Sequence, residues 1–376
     1  MRIALRELLR QPGRFLPVGG ALTLLVVLLV VLGGFLDGLE LSQTGSYRAH
    51  EGSLLVFADD VELQIQRSQV GEDAVSAIAD LDDVDQVGTL DQVATTAGLP
   101  ASSADPESLE DIVLFGYEVG TDALPAPPDG DGAVVDAVLA DLVDVEVGDT
   151  IELGPDAVPV TVDALVDDLS QGSPTVWVAS DRWREIAATA TPTGLPPEGT
   201  AQALVVRPDA EGRGGAPTAD DLRGLADAID TQVDGVAAVT PTEAIEALPV
   251  VQQQSSTFRG IIGVTFAVTL LVVALFFALI TLERVALYAV LKALGARSVD
   301  LLTGISAQAV VISAGALVLG IGLSIAFTAA LPPELPIRLV PLRLAAIAGG
   351  TVLTALIGSL FTLRRLLAID PADAIG

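Results

Sequence analysis

The chain has 376 residues, of which 51% are hydrophobic, and a formal net charge of −30. So apolar a chain is not one water-soluble domain, and so acidic a one repels nucleic acid and anionic surfaces. The absence of cysteine excludes a disulfide framework, a lipid-modified N-terminal cysteine and thiolate metal ligands.

Residues 1–14 interleave Ile3, Leu5, Leu8 and Leu9 with Arg2, Arg6 and Arg10, the pattern of a short amphipathic helix lying along the inner leaflet. Pro12-Gly13 breaks it before the first apolar run, residues 15–36. That run is longer than the apolar core of a secretory signal, and Asp37-Gly38-Leu39-Glu40 offers no A-x-A cleavage site, so it is expected to stay as an anchor.

Residues 37–259 are expected to form one outer domain with its own core. Ser53–Phe57 reads as a strand, Glu72–Leu81 as a helix and Val84–Thr89 as a strand, a βαβ-like beginning. Ile112–Glu118 is a further strand. Ala133–Leu153 reads as a short helix running into D-V-E-V-G-D-T-I-E-L, and Val158–Val166 and Pro174–Val178 are apolar and β-branched. These predict a β-rich subdomain inserted between two α/β halves. The second half has Ala203–Arg207 as strand, Ala219–Thr231 as helix and Val236–Thr240 as strand. Pro241-Thr242-Glu243 then starts a helix back to the membrane. Leu99–Asp105, Leu124–Gly132, Ala190–Gly199 and Asp209–Pro217, rich in Pro, Gly, Ala or acids, read as loops.

Three more apolar runs follow: 260–282, 304–331 and 344–363. With 15–36 they make four spans, none carrying a charge, and at about 1.5 Å per residue even the shortest gives about 30 Å of helix. The fold class expected is therefore a four-span α-helical membrane protein with an α+β extracytoplasmic domain. Orientation follows from the cations: Arg2, Arg6, Arg10, Arg14, Arg284, Lys292, Arg297, Arg364 and Arg365 fall in residues 1–14, 283–303 and 364–376. The positive-inside rule puts these segments and both termini in the cytoplasm of a cell-membrane protein. Residues 37–259 hold 43 of the 49 acids, so the negative charge belongs to the outer domain.

Small residues recur every fourth position in the last two spans: Ala316, Gly320, Ser324 and Thr328, then Ala346, Gly350, Thr354 and Gly358. Such rows let helix backbones approach closely and are expected to face other helices, in the same chain or in a second copy. Pro332-Pro333-Glu334-Leu335-Pro336 makes a stiff outer turn within residues 332–343.

The segment 283–303 is the most informative. It holds Lys292, the only lysine in the chain, and Arg284, Tyr288 and Lys292 fall on one helix side beside Leu287, Leu291 and Leu294. Gly295 suits a left-handed cap, and Ser298 with Asp300 can cap the next helix. The reading is a helix, a bend and a second helix entering the bilayer, an elbow able to pass on a push from a soluble partner.

Glu283-Arg284, Leu291-Lys292-Ala293-Leu294-Gly295-Ala296 and the tail Ile369–Ile375, I-D-P-A-D-A-I, resemble ABC transporter permeases of the MacB, LolC/LolE, FtsX and DevC kind. Tyr288-Ala289-x-Leu291-Lys292-Ala293 is closest to DevC wording, while Leu287 stands where much of the family has Glu. V-x-V-G-D-T-I, Val145–Ile151, is common in the MacB-type outer domain. The resemblance implies that Glu283, Arg284, Tyr288, Lys292, Ala293, Leu294, Gly295 and Ala296 touch a cytoplasmic ABC ATPase dimer. It also implies a second permease chain and an extracytoplasmic adaptor, substrate-binding protein or cell-wall hydrolase. ATP and Mg would belong to the ATPase, with no cofactor in this chain.

No catalytic constellation stands out. His50, the only histidine, lacks a second His or Cys to build a site and is expected at the surface. Asp129-Gly130-Asp131-Gly132 lacks the remaining ligands of a calcium loop, and no G-x-x-x-x-G-K-[ST] occurs. The expected function is a permease subunit, not an enzyme, that relays ATP-driven motion for export, lipoprotein handling or mechanotransmission. A membrane receptor with an outer ligand-binding domain is the alternative, and a self-contained carrier comes third, since charged residues mark the path in such carriers.

Overall fold

The computed structural model describes residues 12–59, 61, 63–100, 109–191, 195–209, 216–283, 298–331 and 337–367. Its elements in chain order are α1 (Pro12–Gln43), α2 (Gly45–Arg48), β1 (Leu54–Ala58), β2 (Val70–Gly71), α3 (Glu72–Ala79), β3 (Val84–Gly98) and β4 (Glu110–Tyr117). There follow β5 (Gly132–Asp136), α4 (Ala137–Val143), β6 (Thr150–Leu153), β7 (Val158–Val166), β8 (Thr175–Ala179), α5 (Ser180–Ala190), β9 (Thr200–Ala201) and β10 (Ala203–Pro208). The rest are α6 (Ala219–Gln232), β11 (Val236–Val239), α7 (Pro241–Ala247), α8 (Pro249–Glu283), α9 (Ser298–Thr328) and α10 (Pro341–Leu367). The chain divides into two compact units, Met1–Leu39 with Gln254–Gly376, and Glu40–Gln253.

The middle unit is built on one nine-stranded sheet, ordered β11-β1-β10-β3-β4-β8-β5-β7-β6. Strands β11, β1, β10 and β3 pair antiparallel and, with α3 and α6, make a split β-α-β arrangement. Strand alternation sends Leu54, Val56, Leu204 and Val206 toward α6 residues Leu222, Leu225 and Ile229, and Leu55, Phe57 and Val205 into a second core on the opposite face. The inserted subdomain lies between β3 and β10. There β3 also pairs with β6, Ala97 opposite Leu153 and Gly98 opposite Glu152, so the strands from β3 to β6 close on themselves. Closure removes free edges and wraps Leu114, Val135, Ile151, Val162 and Val176 around a common interior. The fifteen-residue β3 holds the halves together: its first part pairs with β10 and its second with β4.

Local chemistry sets the helix starts. Thr218 with Asp221 and Thr240 with Glu243 form capping boxes at α6 and α7, and Asp136 accepts from the Val138 amide to cap α4. The structure departs from the expected elements where β3 runs on to Gly98, where Ser180–Ala190 forms α5, and at two further points. Gly132–Asp136 is a buried strand and not the opening of a helix, because a short continuous apolar run fits either state. The helix begun at Pro241 stops at Ala247, with Leu248 extended before Pro249, since the residue before proline is pushed out of the helical region.

Among the described residues four helices are long and apolar enough to cross a membrane, Leu16–Gln43, Pro249–Phe276, Ser306–Thr328 and Pro341–Gly358, and they make up most of the other unit. Val26, Leu29 and Val30 of α1, Leu317 of α9 and Ile347 of α10 form its centre, with Ile262 and Phe266 of α8 packed against them. Leu24, Leu271, Val318 and Leu353 are exposed, as suits side chains that meet lipid.

Candidate functional site

Of the segment expected to meet an ATPase, Glu283 closes α8 and Ser298 opens α9. Arg284, Tyr288, Lys292, Ala293, Leu294, Gly295 and Ala296 lie outside the described residues, as do the first eleven residues and the tail from 368.

The small-residue rows are described. A Cβ added at Gly320 would come 2.6 Å from Val26 Cγ1 and 3.2 Å from the Thr23 carbonyl oxygen, so α9 rests on the backbone of α1 here. Ala316 and Ser324 in the same row are buried, and Ser324 donates to the Gly320 carbonyl at 2.8 Å, which satisfies its hydroxyl within the helix. Thr328, at the helix end, is half-buried and donates to Ile325. On α10, a Cβ at Gly350 would meet the Phe266 ring at 2.8 Å, and one at Gly358 would meet Val273 at 2.7 Å, so both glycines seat α10 on α8. Thr354 is half-buried, whereas Ala346 is exposed.

These contacts yield an expected result. Gly320→Leu should lower the melting temperature of the full chain by several degrees, because the added side chain would have to separate α9 from α1. Gly322→Leu is the matched control, since nothing lies within 4 Å of its Cβ position. Equal melting of both variants would show that Gly320 does not seat α9 on α1.

An ion pair ties the first and fourth spans together. Arg343 Nε lies 2.5 Å from Asp37 Oδ1, with Asp37 largely buried. Sequence reading passed over this pair, although a signal was there: Asp37 directly follows the first apolar run and Arg343 directly precedes the last. Opposite charges bordering two runs on the same side of a bilayer are natural partners.

In the middle unit, His50 is fully buried, contrary to its expected place at the surface. It meets the Trp177 ring edge-on, with centroids 6.0 Å apart, and Trp177 stacks on Phe115 at 4.2 Å. Neither ring nitrogen has a hydrogen-bond partner, and burial pushes the imidazole down to about 3, so it is neutral. It was missed because a lone polar residue carries no periodicity of its own. Asp131 of the calcium-like stretch pairs with Arg182 at 3.1 Å. Among the described residues no cluster of His, Asp or Glu could hold a metal ion. Nor do these groups supply a nucleophile beside a base. What they build is a mixed α/β body and a helical bundle.

Comparison with known proteins adds the following. Residues 259–371 match the family described as FtsX-like permease C-terminal. The putative hemin transport system permease protein HrtB of Staphylococcus haemolyticus (strain JCSC1435) is 23% identical over 145 residues, 39% of this chain. That match spans 41% of the relative's own length. Among solved structures, the periplasmic region of MacB from Actinobacillus actinomycetemcomitans aligns with a TM-score of 0.35 at 9% identity, covering 52% of this chain and 91% of that one. The extracellular domain of the noncanonic ABC-type transporter YknZ from Gram-positive bacteria aligns with a TM-score of 0.32 at 15% identity, covering 50% and 98%.

Proposed function

We infer that this chain, an ABC permease of the FtsX/MacB type by its C-terminal module, is the membrane subunit through which a separate ATPase drives the outer unit. The observation that carries the reading is the family match over residues 259–371, which contains the cationic segment 284–297 between α8 and α9. ATP-driven closure of an ATPase pair would press on Glu283, Arg284, Tyr288, Lys292 and the Ala293–Ala296 bend. The α8 helix would carry that displacement toward Pro249, where the chain enters the middle unit. The work done would be export, lipoprotein handling or mechanotransmission, with two permease chains per assembly and both termini in the cytoplasm. An adaptor or hydrolase outside would receive the motion.

The four spans suit force transmission better than passage of a polar substrate. They bury apolar side chains against one another, and the buried hydroxyls of Thr269, Ser324 and Thr351 donate to carbonyls of their own helices, while Ser313 of α9 is buried with no hydrogen-bond partner among the described residues. The hemin named for the relative would find no accessible histidine here, since His50 is sealed in the core.

The test is the double charge reversal Arg284→Glu with Lys292→Glu, in the chain co-expressed with its partner ATPase. Stimulation of ATP hydrolysis by the permease should fall roughly tenfold or more, the scale of an interface coupling energy, while the permease still inserts and melts normally. Unchanged co-purification together with unchanged hydrolysis would assign the elbow no coupling role and favour a receptor.

A further inference from the structure

The middle unit has an open cavity of about 360 Å³, lined by Gln64, Gln66, Gln92 and Gln171, by Tyr47 and Ile65, and by Leu248–Val250. Its size falls within the about 300–1,000 Å³ typical of small-molecule sites. Its chemistry is unusual for this unit. Residues 37–259 carry 43 acids, yet among the described residues no Asp, Glu, Lys, Arg or His lines this cavity.

The polar wall is made of neutral amides, each able to donate and accept. Gln92 is more than nine-tenths buried, and its Oε1 has no hydrogen-bond partner. Its backbone amide is taken by Gln202 Oε1 at 2.7 Å, which fixes the residue in β3 and leaves the side chain as its adaptable part. Gln171 Oε1 accepts from Ser46 at 2.6 Å, which orients that amide with its NH₂ as the remaining donor. Tyr47 donates to the Leu63 carbonyl at 3.3 Å and retains acceptor capacity. Burial pushes the Tyr47 hydroxyl up to about 12, so the wall is uncharged throughout the working range. The rest of the lining is apolar: Ile65 and Leu248 are buried, and Val250 is 41% exposed.

We propose that this cavity is a binding site for an uncharged, hydroxyl-rich ligand with an apolar face, the chemistry of a small glycoside. Hydroxyls of such a ligand can both donate to and accept from the four amides and Tyr47, filling the open valence of Gln92. Its apolar face covers Ile65, Leu248 and Val250. An ionised group on the ligand meets no counter-charge in the wall and loses its hydration on entry, so charged analogues are rejected. Pro249 and Val250 form the first turn of α8, so the occupant touches the helix that continues into the second span. Binding itself does not depend on the coupling role proposed above, and the two fail separately.

The experiment uses the full chain in lipid nanodiscs, titrated calorimetrically with a panel of neutral p-nitrophenyl glycosides and the matching p-nitrophenyl glucuronide. One or more neutral members should bind saturably, at one site per chain, and the glucuronide at least about tenfold more weakly. Gln92→Met, close in volume but without the amide, should weaken binding about tenfold. Val250→Trp, which fills the rim from an exposed position, should abolish it while the tryptophan-fluorescence melt stays within a degree or two of wild type. Absence of saturable binding across the panel, equal affinity for the glucuronide, or binding unchanged in Val250→Trp each overturns the proposal.

Discussion

Gly45→Ala is expected to destabilise the middle unit by about 3 kcal/mol or more, the upper range for overpacked sites. Helix α2 lies directly against the segment after β7. The Gly45 amide donates to the Ser170 carbonyl at 2.9 Å, and a Cβ on Gly45 would overlap the carbonyl group of Leu169. The obstacle is backbone on both sides, so no side-chain rotation relieves it. Either α2 or the Leu169–Ser170 segment must shift, and Leu169 is itself part of the buried core with Tyr47, Phe115 and Trp177. The chain's two tryptophans, Trp177 and Trp183, both sit in this unit and are buried, so their fluorescence follows its unfolding. The melt should move down by roughly 6–12 °C. Gly71→Ala, with open space around it and an extended backbone, should move it little. A Gly45→Ala protein that melts with wild type would show that α2 does not rest on Leu169.

Acidification should weaken the same unit through His50, and replacing that residue should remove the effect. The folded imidazole titrates near about 3 and an unfolded one near 6.5, so the unfolded chain binds the extra proton across that window. Stability is therefore full above pH 6.5 and is lost as pH falls toward 3. By pH 4.5 the loss is about 3 kcal/mol, from roughly 1.4 kcal/mol per pH unit. Asp91 acts in the opposite sense. Burial pushes its carboxyl up to about 6, so the folded state binds that proton more readily and gains stability as pH falls through 6 toward the ordinary carboxylate value. The two contributions partly cancel below pH 6, and the raw pH profile understates His50. Comparing wild type with His50→Leu isolates it. The variant should be as stable as wild type or more so at pH 7.5, because two unpartnered buried nitrogens are removed. Its advantage should grow by about 3 kcal/mol at pH 4.5, read from tryptophan-monitored denaturant curves. Parallel pH profiles for the two proteins would place His50 in contact with water.

Much of the architecture was legible from hydrophobic runs alone. A stretch of eighteen or more apolar residues has few alternatives to a spanning helix, so each of the four runs falls on a long apolar helix, although α1 continues to Gln43 and α8 begins as early as Pro249. The strands and helices of the split β-α-β arrangement were similarly plain, since each carries its own periodicity and its caps lie within four residues. The second half of β3 was not. Asp91 and Gln92 look like loop residues, and only the reciprocal hydrogen bonds with Gln202, more than a hundred residues away, make them tolerable inside a sheet. For the candidate sites the division is the same. The glutamine-lined cavity joins residues distant in sequence that no local spacing announces, and the Asp37–Arg343 pair shows in the sequence only as opposite charges bordering two apolar runs.

The sequence by itself determined that this is a four-span chain, which segment between spans is cationic, and that the acids gather in one stretch. Those properties are sums over contiguous residues, and water, lipid and the positive-inside bias act on them segment by segment. Tertiary structure alone decided that β3 meets β6 to close the inserted subdomain, that His50 lies sealed beside Trp177, and that Gly320 seats one helix on the backbone of another. Each depends on which distant groups exclude water from one another, and that free energy exists only once the chain has folded back on itself.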